Sequence, residues 1–427
     1  MGEQGLSVTG DFAGRLVLPN GLAVLLKEVK ALPSISMNLI IESGALLDPE
    51  GKEGLSAFTT EGVLIGTEQR TAAEISEEMD FTGGSLTARA GKDYCAFTLN
   101  VLKKALPTGL EILSDVLKRP VFPPAEVEKK RGEFQARIRK DEEDPGALAQ
   151  KTFLGELFHH KFYGRPSLGT EASISGLSRE DLLEFYRQRL SRSRAICSIV
   201  GQITEDELIV LSREHMQSWP AETAGTLVEI PPGQTGGKRI TKIDRELTQA
   251  NIVLGHKGIP RNHPDYYSVF VMNHILGGGG FRSRLMNSIR EERGLAYSIY
   301  SMFASGKHAG YFQVMLETKN SSAAEAIDQV LKEMESIRSR GITDEELDEV
   351  KLYLTGSFPL KIDTNTKIAN LLADIEFYGL GLDYPERFPE IINALSKTDV
   401  EDAAKKYLDP ENYTVAIVGK QEEIKWG

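Results

Sequence analysis

The chain is poor in several things that usually announce a function. Only two of its 427 residues are cysteine, Cys95 and Cys197. That excludes a disulfide framework and any cysteine-rich metal site. Both lie in apolar runs (YCAFTLNV and AICSIVG), so buried, inert thiols are expected. No stretch approaches the roughly 18–20 apolar residues of a membrane span. The opening MGEQGLSVTG has neither a basic nor an apolar signal region. The chain as written reads as soluble and cytoplasmic, or periplasmic if a signal was trimmed. Basic residues are in deficit, with 50 Lys+Arg against 62 Asp+Glu and a net charge of −12. Nucleic-acid binders normally carry a basic stripe, so that class is disfavoured. Histidines number seven, and no H-x-x-E-H occurs among them.

A long internal repeat is present. Residues 177–201 read LSREDLLEFYRQRLSRSRAICSIVG, and residues 395–419 read LSKTDVEDAAKKYLDPENYTVAIVG. Both run from Leu-Ser through a helix and a break to an apolar strand ending at Gly. Leu177 and Leu395, like Gly201 and Gly419, stand 218 residues apart. VFPPAEVEKK (121–130) and ITDEELDEVK (342–351) echo each other in the same way. A period this long means two copies of one large domain, not a solenoid. Domains are expected at 1–222 and 239–427, joined by a Pro/Gly/Thr-rich linker at 223–238.

Each half mixes strand and helix signals. VLPNGLAVLLKEV reads as two strands around an Asn20-Gly21 turn, and SISMNLIIESGA as another strand. Residues 107–118 and 324–338 carry helical apolar spacing. The expected class is α+β: two homologous domains, each a mixed, mainly antiparallel sheet with helices on one face.

Two stretches carry a specific resemblance. Residues 43–67, SGALLDPEGKEGLSAFTTEGVLIGT, match in frame the zinc-motif region of the pitrilysin (insulinase-like) peptidases at Gly54, Leu55, Phe58, Gly66 and Thr67. That family uses H-x-x-E-H, whose two imidazoles one helix turn apart hold zinc and whose carboxylate is the general base. The resemblance places Ala57 at the first histidine, Thr60 at the base and Glu61 at the second histidine. The family's third ligand is a glutamate some 76 residues on, where this chain has Arg137. Alanine has no donor atom and arginine has no lone pair for a metal. No metal site is therefore expected in this chain, and Glu61 is expected to pair with a base such as Arg137. The adjacent His159 and His160 diverge and have no carboxylate to complete a site, so they read as loop or surface residues.

The second stretch is residues 272–300, MNHILGGGGFRSRLMNSIREERGLAYSIY. By composition alone, Arg290 is a surface residue at a charged helix end. The resemblance gives Arg290 and Tyr297 another role, because the family keeps an Arg and a Tyr at this spacing to bind the substrate backbone and stabilise the tetrahedral intermediate. Gly277, Gly278, Gly279 and Gly280 stand where the non-catalytic subunit of mitochondrial processing peptidase has a substrate-touching glycine loop. Tight-turn geometry accounts for them equally well.

The resemblance implies a non-catalytic subunit of a heterodimeric zinc peptidase, inactive alone. Zinc would sit in a homologous partner, with peptides as substrates. A scaffold subunit, like the core proteins of a respiratory complex, and a homodimeric peptide-binding chamber remain the alternatives.

Overall fold

The computed structural model describes residues 7–8, 12–219 and 237–426. The linker expected at 223–238 lies outside them except for Gly237 and Lys238.

Among the described residues, twelve strands build two sheets: β1 (Ser7–Val8), β2 (Gly14–Val17), β3 (Ala23–Glu28), β4 (Ser34–Ile41), β5 (Ser85–Ala90), β6 (Cys95–Leu102), β7 (Ala195–Gly201), β8 (Arg239–Asp244), β9 (Gln249–Gly258), β10 (Ala296–Ser305), β11 (Gly310–Lys319) and β12 (Thr414–Gly419). The first sheet runs β1-β2-β3-β7-β4-β6-β5, and the second β10-β11-β9-β12-β8. From β3 to β5 the first order is the second one read backwards, strand for strand. Each sheet has one parallel pair, β3 with β7 and β8 with β12, and is otherwise antiparallel. The repeat is thus two copies of one α+β topology.

Matching cap chemistry accompanies it. Ser178 caps the helix Arg179–Phe185 in a reciprocal box with Asp181, and Ser396 caps Lys397–Tyr407 in the same box with Asp399. Each side chain satisfies a backbone donor that the first helical turn leaves unpaired. The hairpin expected at Asn20-Gly21 joins β2 to β3. Gly21 takes φ 92°, and the Asn20 amide donates to Met216 O and Trp219 O at 3.0 Å.

The described residues fall into two compact units that are not the two sequence halves. The first draws on Met1–Arg139, Pro166–Val228 and Phe358–Glu386. The second draws on Lys140–Arg165, Glu229–Ser357 and Arg387–Gly427. Each unit therefore takes a helix from the opposite half. In the first, Ile35, Met37, Leu39 and Ile41 of β4 point into the main core. The alternate residues meet the helix Asn365–Tyr378. Asn38 donates to Asn370 Oδ1 at 2.9 Å, Ser36 and Thr366 hydroxyls lie 3.0 Å apart, and Ser198 donates to Ala369 O at 2.6 Å. In the second unit, Pro145–Leu157 packs on β9 and β12. Helices lie on one face of the outer strands, as the alternating burial of β6 shows, and on both faces of the central ones. Both cysteines are fully buried, and burial pushes the Cys95 thiol up to about 12.

Candidate functional site: two charged constellations

In the first unit the helix Leu55–Gly62 is fixed at its start by Gly54 and Asp48. Gly54 adopts φ 90°, and a Cβ there would lie 2.6 Å from Leu168 O, so only glycine fits. The Gly54 and Ser56 amides donate to the Asp48 carboxylate at 2.8 Å. Burial nevertheless pushes that carboxyl up to about 7. Phe58 is fully buried and stacks on Phe134 of the helix Pro124–Glu143, centroids 5.0 Å apart. Gly66 takes φ 147°, and the buried Thr67 hydroxyl donates to Asp115 Oδ2 at 2.6 Å. Leu55 is buried in the same core, so Gly54, Leu55, Phe58, Gly66 and Thr67 each have a packing or backbone task.

The side chains at 57, 60, 61 and 137 are each engaged within the chain. Ala57 is buried among apolar side chains. The Thr60 hydroxyl donates to Cys95 Sγ at 2.8 Å, and Cys95 donates on to Ser43 O at 2.6 Å. The Glu61 carboxylate accepts from Arg137 Nη1 at 2.8 and 3.0 Å, with Lys130 Nζ 3.9 Å away. Arg137 also lies over the Phe134 ring at 4.9 Å. The expected Glu61–Arg137 pair is present, and the Arg137 cation engages the Glu61 carboxylate. These residues do not fit zinc. Among the described residues no group of three or more His, Cys, Asp or Glu side chains could hold a metal. His159 and His160 sit in the loop after Pro145–Leu157, both at positive φ. His159 faces the Arg239 guanidinium at 3.1 Å, and His160 lies 3.6 Å from Glu156.

In the second unit Arg290 lies in a wide π-type turn, Met286–Glu291, and Tyr297 follows at the start of β10. Such widened turns recur at functional sites. The structure brings the two together, with the guanidinium 5.5 Å from the centre of the Tyr297 ring. A third residue joins them: Phe281 presents its ring to the same guanidinium at 5.1 Å. Phe281 and Tyr297 are 70% and 74% exposed. Among the described residues, the Arg290 N–H groups donate only to the Met286 sulfur, at 3.9 Å, and the nearest carboxylate, Glu291, is 3.7 Å away. Contrast Arg284, whose fork takes both Glu346 oxygens at 2.6 and 2.7 Å.

The glycine run sits just before this cluster. Gly277 is enclosed, and a Cβ there would lie 2.4 Å from Ser301 Oγ. At Gly279 it would lie 2.7 Å from His274 O. Gly280 takes φ 61° with open space around it. Packing thus accounts for Gly277 and Gly279, and the turn for Gly280. Gly279 also lines a groove of about 430 Å³ with His274, Val350 and Tyr353. Sequence reasoning missed Phe281. Its one signal was an aromatic residue stranded between a glycine run and two arginines.

Comparison with known proteins fits this architecture. Residues 23–171 match the family model "Insulinase (Peptidase family M16)", and residues 176–354 match "Peptidase M16 inactive domain". The chain belongs to peptidase family M16. It is 26% identical over 407 residues to YmxG of Bacillus subtilis, named an uncharacterized zinc protease, covering 95% of this chain and 97% of that one. It is 29% identical over 366 residues to an uncharacterized zinc protease of Mycobacterium leprae, covering 84% and 81%. The crystal structure of a peptidase M16 inactive domain from Pseudomonas fluorescens superposes with a TM-score of 0.87 at 25% identity, covering 95% and 98%. Among the described residues no helix is long and apolar enough to cross a membrane.

Proposed function

We propose that this M16 homologue is the non-catalytic subunit of a two-chain zinc peptidase and lends Arg290 and Tyr297 to a zinc-bearing homologue that cuts peptides. The observation that carries the reading is the state of Arg290. It is a permanent cation whose donors make no hydrogen bond to an oxygen among the described residues, Glu291 standing off at 3.7 Å, beside an exposed tyrosine. Most arginines near carboxylates spend their donors on them, as Arg284 does. One that keeps them beside a neutral O–H donor is equipped to meet negative charge developing on a ligand oxygen. Ala57 and Arg137 have no atom to give a metal, Thr60 is no base near neutral pH, and the Glu61 carboxylate is taken up by Arg137, so metal and base would come from the partner.

The test is reconstitution with a homologue that carries an intact H-x-x-E-H. Arg290→Ala or Tyr297→Phe should lower kcat about 10²- to 10³-fold. KM should change little, because the charge they meet exists mainly in the transition state. Zinc in the partner should be unaffected. A scaffold role instead predicts unaltered turnover in a complex that still assembles.

A further inference from the structure

We propose that Phe281 is a positioning residue for Arg290, clamping the guanidinium against Tyr297 so that its N–H edge stays free for a peptide oxygen. The proposal rests on the reading of Arg290 given above.

An arginine used for recognition has to be held, because its long side chain otherwise samples many rotamers. A carboxylate would hold it, but would occupy the donors and cancel the charge. Arg70 shows that outcome, with its guanidinium bound to Glu78, Glu111 and Asp115. An aromatic face holds the cation through the ring quadrupole and leaves the in-plane N–H groups unoccupied. Arg290 has that kind of environment, with ring centres at 5.1 and 5.5 Å and no carboxylate within hydrogen-bonding distance among the described residues.

The exposure of Phe281 needs an explanation that packing does not give. At 70% exposed it contributes little to any core. Its backbone, by contrast, is well determined. Gly280 at φ 61° turns the chain, the Ser283 hydroxyl donates back to Gly280 O at 2.7 Å, and neighbouring Arg282 is tied to Glu349 at 2.8 Å. On the far side of the turn, Gly294 at φ 61° leads into β10 and Tyr297. Two glycine-hinged turns thus present two open rings to one cation.

Two variants separate π-face from bulk: Phe281→Leu removes the face and keeps apolar volume, and Phe281→Trp keeps the face. The first readout uses the isolated full chain labelled with ¹⁵N-arginine, in which Arg290→Lys identifies the Arg290 Nε–Hε resonance. Ring currents should hold that resonance upfield, with slow side-chain relaxation. Phe281→Leu should move it towards the free-arginine position and mobilise it, while Phe281→Trp should not. An unchanged resonance in Phe281→Leu overturns the proposal. The second readout uses the reconstituted pair cutting carboxymethylated, unfolded α-lactalbumin. Phe281→Leu should lower kcat about tenfold to a hundredfold with KM within about twofold, and Phe281→Trp should restore it. A mobilised Arg290 with unchanged kcat also overturns it. If Arg290→Ala itself leaves kcat intact, the two-subunit reading has failed, and the resonance still decides whether Phe281 orients Arg290.

Discussion

Glu61 with Arg137 in the first unit and Arg290 with Tyr297 in the second each set a charged side chain against a close neighbour. They differ in what their charges do. Glu61 is answered within the chain by Arg137 at 2.8 Å and approached by Lys130 at 3.9 Å. Among the described residues, Arg290 is held by ring faces and a sulfur and approached by the Glu291 carboxylate at 3.7 Å, with no hydrogen bond to an oxygen. A charge paired internally at short range has little left for a ligand, whereas a charge held without an oxygen partner retains nearly all of its hydrogen-bonding capacity. The same fold thus closes one constellation and leaves the other open. Within the first unit a second contrast runs parallel: Gly54, Phe58 and Thr67 carry packing or backbone tasks, while Glu61 spends its charge on Arg137.

That second contrast predicts where substitutions hurt. Phe58→Ala should cost about 3–5 kcal/mol of unfolding free energy, the usual range for deleting a buried phenylalanine. Phe58 is fully buried against Phe134, so denaturant titration should show a large fall in midpoint. A loss under about 1 kcal/mol would mean that this frame residue is not kept for packing.

Next in size is the return of chemistry to the retained frame. Residues 57 and 61 stand one helix turn apart, and the side chain at 137 reaches Glu61. The fourfold variant Ala57→His, Thr60→Glu, Glu61→His and Arg137→Glu should therefore bind one zinc per chain, while the natural chain binds none. Zinc at 100 times its Kd should stabilise the variant by about 2.7 kcal/mol through binding to the folded state. Elemental analysis and thermal melts with and without zinc check this. A folded variant that binds no zinc would show that more than four side chains were lost, and one zinc in the natural chain would remove the basis of the comparison.

The repeat was legible because it is written in local chemistry. Leu177, Ser178 and Asp181 recur as Leu395, Ser396 and Asp399, and cap boxes and strand-ending glycines act within a few residues of themselves. The hairpin at Asn20-Gly21 was legible for the same reason. The pairing of Glu61 with Arg137 could be read only through the family frame, since 76 residues separate them. The exchange of helices Pro145–Leu157 and Asn365–Tyr378 between the sequence halves was not legible. A helix's own sequence shows which side is apolar, not which sheet it covers. Nor was Phe281 legible as a neighbour of Arg290. An irregular run of turns separates them, and no fixed periodicity relates side chains across it.

The smallest effect expected belongs to the pair that gives the first unit its closed character. Glu61 and Arg137 form a bond between Leu55–Gly62 and Pro124–Glu143, which under the proposed reading would substitute for a lost metal. The energetics argue otherwise. The Arg137 side chain is 44% exposed, so water screens the attraction. The two helices are already joined by the buried Phe58–Phe134 stack. If Arg137 is lost, Lys130 already lies 3.9 Å from the Glu61 carboxylate and limits the damage. A double-mutant cycle of Glu61→Gln and Arg137→Gln should therefore give a coupling of about 0.2–1 kcal/mol. It should shrink further at ~1 M salt, where charges are screened within about 3 Å. A coupling above about 2 kcal/mol that survives such salt would mean that the ion pair had taken over the structural task of the metal. The first constellation would then be a replacement site, and its contrast with Arg290 would be one of function gained rather than function lost.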